Sequence, residues 1–220
     1  MNKLHTVKAA LFLLLLAPPV FSAAPDGAAY LQGNNDTALI LVHGRGKYPT
    51  WKVVEPLRIA VNDQLNYHTL SIQVPNDDKN WKEYADDFPE TYVRIKNAIR
   101  FLQKEKRIAN IYLMGHSMGS RMVSAFLSTQ SPQPIQGLII VGCRNNGGTP
   151  FNCLENVEGL SLPILDIWGG ASGKDANAAS ARESLKSASF TQIEIEGADH
   201  KLKGYDDEFT AAVIGWLKKH

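Results

Sequence analysis

The pentapeptide Gly115-His116-Ser117-Met118-Gly119 sets a serine between glycines two before and two after. A β-branched run, Ile108–Met114, leads into it, and a helical pattern continues through Phe126. A strand that turns sharply into a helix through such a pentapeptide lifts the serine hydroxyl above the sheet, and the absent Cβ atoms let turn and helix pack closely. The same turn places Ser117 at a helix N-terminus, where the Met118 amide points at an oxyanion forming on an attacked carbonyl. The plainer reading of the same residues is a serine that only caps a helix.

A hydroxyl attacks poorly until a base removes its proton, so a histidine is expected on a later loop. Gly197-Ala198-Asp199-His200 supplies one just past the last apolar run. The other histidines fit less well: His5 is N-terminal, His68 opens a strand, His116 lies inside the turn and His220 ends the chain. The second oxyanion donor is expected after the first core strand, where Val42 leads into His43-Gly44-Arg45-Gly46; the Arg45 amide is the candidate, paired with that of Met118. His43 reads as a residue that braces this loop, because the mechanism has no use for a second general base. The Arg45 guanidinium either meets an anionic substrate or is simply solvated.

Elements must hold these groups together. Ala38–Val42, Thr69–Val74, Ile108–Met114, Leu138–Val141, Ile164–Trp168 and Phe190–Ile195 read as strands buried on both faces. Val54, Leu57, Val61 and Leu65 share a helical face, as do Phe88, Tyr92, Ile95, Ile99 and Leu102, and, near the end, Phe209, Val213, Trp216 and Leu217. Alternation of strand and helix predicts an α/β fold: a doubly wound, mostly parallel sheet of about six strands with helices on both faces. Ala28–Leu31 is left open as a further edge strand. Ligands of such sheets bind beyond the carboxyl ends of the strands, so the loops Gly44–Trp51, Pro75–Asp87, Gly142–Val157, Gly169–Asp175 and Ala198–Tyr205 are expected to line the site.

With His43-Gly44, Gly115–Gly119, Pro163–Gly169 and Gly197–His200 in place, the chain resembles the α/β-hydrolase superfamily from about Thr37 onward, and among its members the small bacterial periplasmic ones of unassigned substrate. The resemblance implies a serine, acid, histidine triad in that chain order. Family members usually carry the acid three residues after the glycine that closes the Pro163–Gly169 strand, and here that position is Ser172. Asp175 is the preferred acid: the run Gly169-Gly170-Ala171-Ser172-Gly173 can absorb three extra residues, and a helix over Ala176–Leu185 tolerates a carboxylate at its start. Asp166 inside its strand, Asp199 beside His200, and a water or the Ser172 hydroxyl are the alternatives. The sequence between Gly119 and the acid strand is too short for a helical lid, which suits small or protruding acyl groups.

Residues 1–22 read as a secretory signal peptide: Lys3 and Lys8 without an acid, an apolar stretch Ala9–Ala17, then Pro18-Pro19 and small residues. Cleavage after Ser22 is the first choice and after Ala24 the second, leaving 23–220 as one domain, periplasmic or secreted. The apolar stretch is about half the ~20 residues a bilayer needs, so no stable membrane anchor is expected. Loss of Lys3 and Lys8 turns 23 basic against 22 acidic residues into 21 against 22, a balance that attracts neither nucleic acid nor an anionic membrane. Cys143 and Cys153 are expected to be bridged in an oxidising compartment. Gly173-Lys174 lacks the preceding glycine of a phosphate loop, no dinucleotide fingerprint is present, and the histidines are too scattered for a metal, so no cofactor is expected. The reading is an exported serine hydrolase acting on a small-molecule acyl substrate, an ester before a thioester or amide, of open oligomeric state. The alternative is a catalytically silent binding or chaperone-type protein on the same scaffold.

Overall fold

The computed structural model describes residues 24–77 and 79–220; the expected signal peptide, residues 1–22, lies outside them. Seven strands form one sheet: β1 (Ala29–Leu31), β2 (Thr37–Val42), β3 (His68–Ile72), β4 (Asn110–His116), β5 (Gly137–Val141), β6 (Ile164–Gly169) and β7 (Phe190–Ile195). They are ordered β1-β3-β2-β4-β5-β6-β7, and β2 to β7 run parallel. The sheet therefore has seven strands, one more than the expected six. The addition is β1, antiparallel to β3 with Tyr30 opposite Leu70. Three half-buried residues are too short to show a periodicity; what fixes them is tertiary, a Tyr30 Oη to His68 Nδ1 hydrogen bond of 2.6 Å and the edge of Phe101 against the Tyr30 ring.

Residue alternation along the central strands explains why both faces are covered. In β2, Ala38, Ile40 and Val42 join a core with α2 (Phe88–Arg100) and α3 (Met118–Ser128), while Leu39 and Leu41 join another with α1 (Val54–Leu65) and α6 (Asp206–Leu217). Such strands carry no polar face and have no register in which one could be exposed. Two shorter α-helices lie between the later strands, α4 (Cys153–Val157) between β5 and β6 and α5 (Gly173–Ala181) between β6 and β7, the latter against β6. α5 begins at Gly173, three residues before the expected Ala176, so Asp175 lies within its first turn. A carboxylate there faces the positive end of the helix dipole. The helix stops at Ala181, and the next residue, Arg182, is fully buried. No helix among the described residues is long and apolar enough to cross a membrane.

Candidate active site

β4 ends on the sharp turn that the glycine spacing anticipates. Ser117 sits at φ 57° and ψ −113°, a backbone conformation that side chains rarely adopt, and its amide donates to Val141 O at 2.8 Å to hold it there. The flanking glycines are dictated by contact: a Cβ on Gly119 would lie 2.4 Å from Val42 O, and one on Gly115 2.5 Å from the Gly119 backbone. The Ser120 hydroxyl stitches the turn to β5 by donating to Val141 O at 2.8 Å.

The loop after β7 brings His200 and the first turn of α5 brings Asp175. Ser117 Oγ lies 2.8 Å from His200 Nε2, and His200 Nδ1 lies 2.5 Å from Asp175 Oδ2. The carboxylate makes Nδ1 the protonated nitrogen, which leaves the Nε2 lone pair facing Oγ. The other Asp175 oxygen, Oδ1, accepts from Arg144 Nε at 2.6 Å. Burial pushes the Asp175 pKa up, but the hydrogen bonds and charges of His200 and Arg144 outweigh it and hold the carboxyl below its ordinary value.

The structure thus brings together Ser117, His200 and Asp175. It sets the alternatives elsewhere. Asp166 is fully buried and accepts from Arg182 Nη2 and Nε, both at 2.9 Å, and from Gln192 Nε2 at 3.0 Å. Asp199 Oδ1 accepts from the Lys201 amide at 2.8 Å, shaping the turn that carries His200. Ser172 is the residue before α5. Of the oxyanion candidates, Met118 opens α3, where backbone N–H groups have no partner within the helix, and both Met118 and Arg45 line the cavity in front of Ser117. Gly44 brings its loop against the turn, with space for no more than 3.2 Å between an added Cβ and Ser117 Cβ. The Arg45 guanidinium donates to Lys79 O at 3.2 Å.

His43 holds that loop: its Nδ1–H donates to Gly44 O at 3.0 Å, and its Nε2 accepts from the Val74 amide at 3.3 Å and Gln73 Nε2 at 3.1 Å. Burial lowers its pKa. The expected disulfide is present, Cys143 to Cys153 with Cα atoms 6.0 Å apart, and it closes the loop between β5 and α4.

Four residues of this site escape the sequence reading. His116 is buried and its Nε2–H donates to the His200 carbonyl at 3.0 Å, so it positions the loop that carries His200. Burial pulls its pKa down to about 4, with the His200 charge second. Gly142, at φ 58°, passes so close to the imidazole that a Cβ would lie 3.0 Å from it. Arg144 and Arg121 line the cavity as well. One signal was readable: Arg121 follows Ser117 by four residues, a single turn along the same helix.

The cavity has a volume of about 1140 Å³ and is open to solvent; all five loops expected at the carboxyl ends of the strands contribute to it, with Trp51 and Trp81 as aromatic wall. Among the described residues no cluster of His, Cys, Asp or Glu is arranged to hold a metal ion.

A parallel sheet with one antiparallel edge, a strained serine turn after β4 and a histidine after β7 define the α/β-hydrolase fold. Solved structures share it: Est1E from Butyrivibrio proteoclasticus with ferulic acid bound superposes with a TM-score of 0.71 at 15% identity, over 87% of this chain and 94% of that one. A dienelactone hydrolase from Anabaena variabilis gives 0.67 at 16%, over 87% and 88%, and MenH from S. aureus gives 0.66 at 15%, over 89% and 99%. At such identities the likeness is one of fold. By sequence the chain matches none of the curated proteins. It belongs to the family described as "Protein of unknown function (DUF3530)", whose model matches residues 82–219.

Proposed function

We propose that the chain is a serine hydrolase that cleaves a carboxylic ester, before a thioester or amide, through an acyl-Ser117 intermediate. The observation that carries this reading is the hydrogen-bonded run from Ser117 Oγ through His200 to the Asp175 carboxylate, set at a strained turn on the wall of an open cavity. In the first half-reaction His200 Nε2 takes the Ser117 proton as Oγ bonds to the substrate carbonyl carbon. The carbonyl oxygen becomes an oxyanion facing the Met118 and Arg45 amides. As the ester bond breaks, His200 gives that proton to the leaving alcohol; water then repeats the sequence on the acyl-enzyme and frees the acid. Asp175 stays ionised and holds the imidazole in the tautomer that both halves need. The His200 to Asp175 hydrogen bond favours an enzyme over the catalytically silent alternative.

The disulfide supports export to an oxidising compartment, and the single sheet supports reading 23–220 as one domain. Reaction with a fluorophosphonate probe, read by intact mass, tests the function. One probe per chain is expected on the wild type and none on Ser117→Ala, which should also lose roughly 10³-fold or more in kcat on short esters while unfolding at the same temperature. A folded wild type that neither labels nor hydrolyses would overturn the reading.

A further inference from the structure

The charges around the serine are segregated. The chain has 23 basic and 22 acidic residues, yet the charged side chains on the cavity wall are Arg45, Lys47, Arg121, Arg144, Lys174 and Lys201, with no carboxylate among the described residues there. Asp175 lies behind the wall with a fully buried side chain, and its two oxygens are taken by Arg144 and His200. Among the described residues Arg45, Lys47, Arg121, Lys174 and Lys201 form no ion pair.

Two of these cations are built into the site. Arg121 is buried on α3, stacked over Trp81 at 5.3 Å and close to Phe151 at 5.9 Å. Its terminal nitrogens donate to the Asn146 carbonyl at 3.0 Å and to Asn146 Oδ1 at 2.5 Å, neutral acceptors that fix the guanidinium without cancelling its charge. Burial and then the charge of Arg144 pull its pKa down to about 10, which marks a cation held beside another cation at a cost to folding. Arg144 donates to Asp175 through Nε alone, so its two terminal nitrogens have no protein partner among the described residues. Those nitrogens form a planar fork matched to one carboxylate.

Resting on the hydrolase reading, we propose that the substrate is an anionic ester whose carboxylate is held by the terminal fork of Arg144, with Arg121 adjoining. The cationic wall raises the local concentration of such a substrate and the fork orients it against Ser117. The carboxylate belongs either to the acyl part or to the leaving alcohol, and two matched pairs of substrates separate these sources: the 4-methylumbelliferyl monoester of adipate against 4-methylumbelliferyl hexanoate, and 4-acetoxybenzoate against its methyl ester.

The readout is the ratio of kcat/KM for the charged over the neutral ester within each protein, so a general loss of activity cancels. The wild type should favour the charged member of one pair by at least about tenfold, the worth of one charged hydrogen bond. That ratio should fall toward one in Arg121→Gln and in Arg144→Gln, and, without any variant, between 20 mM and 500 mM NaCl in the wild type, roughly the range over which exposed charges become screened. Ratios at or below one for both pairs in the wild type overturn the anionic substrate while leaving the hydrolase intact, provided the neutral esters are cleaved in a Ser117-dependent way. A high ratio that survives in both variants overturns the role of the two arginines. If no ester is cleaved and the fluorophosphonate does not label, the hydrolase reading fails and this proposal with it.

Discussion

Asp175 divides its oxygens between two donors, Oδ2 for His200 and Oδ1 for Arg144, and so its plane is fixed by more than the imidazole it orients. Asp175→Asn keeps the shape and removes the charge, and it lets the histidine settle in the wrong tautomer. Steady-state kinetics should show kcat down by roughly 10²–10⁴-fold with KM little changed. Asp166, nine residues earlier, is a carboxylate with an opposite fate: its partners Arg182 and Gln192 are structural, and the Arg182 side chain continues to Cys143 O at 3.0 Å and Asn145 Oδ1 at 2.7 Å. Asp166→Asn leaves a buried guanidinium without its counter-charge, so urea titration should show a loss of about 3–5 kcal/mol while kcat of the protein that remains folded is nearly retained. If Asp166→Asn lost kcat and Asp175→Asn kept it, the two assignments would have to be exchanged.

At the scale of elements, the loop from Gly142 to Asn152 carries the Arg144 fork and the Asn146 clamp on Arg121, and it is held at three points: the disulfide, Arg182, and Asn145, whose Nδ2 donates to Ala178 O at 3.0 Å. Reduction should therefore lower stability by about 2–3 kcal/mol, the chain entropy of so small a ring. It should also lower the preference for charged over neutral esters more than it lowers turnover of neutral ones, since Ser117, His200 and Asp175 stand outside the ring. An unchanged melting temperature under reductant, with two thiols titrated, would refute the stabilising role. What the sequence made legible follows the same division. The strands inside the sheet show as apolar runs, the edge strand β7 shows as a β-branched run despite its exposed Glu194, and Ser117 and His200 show because glycine spacing and loop position are local signals. Asp175 was reachable only by counting along a glycine-rich run. β1 could only be left open as Ala28–Leu31, being fixed by Tyr30 and His68 across the sheet, and the start of α5 was not reachable, because its Ala-rich turns have no clear apolar face. Arg144 and His116 act on residues 31 and 84 positions away, and no pattern of spacing announces that.

Across the whole molecule the positive charge gathered at the cavity leaves the rest of a nearly balanced surface correspondingly acidic, and the histidines buried beneath the cavity couple folding to pH. His116 is buried with Nε2–H on the His200 carbonyl and no partner for Nδ1 among the described residues, and its pKa in the folded chain is about 4 against an ordinary 6.5. His43 shifts in the same direction for the same reason, burial. A base whose folded pKa is depressed takes up a proton more readily when unfolded. Its contribution to stability is thus complete above pH 6.5, declines as the pH falls through the interval from 6.5 to 4, and is gone below it. For His116 that interval is worth about 3 kcal/mol. Urea midpoints measured from pH 7.5 down to pH 4 should fall accordingly. In His116→Gln, whose amide still donates to the His200 carbonyl but takes up no proton, the slope between pH 6.5 and pH 4 should be markedly shallower while stability at pH 7.5 changes little. An equal slope in the variant would show that the acid sensitivity arises elsewhere, with Asp175 as the next group to test: its carboxyl, held below the ordinary range by His200 and Arg144, contributes stability that disappears only at lower pH.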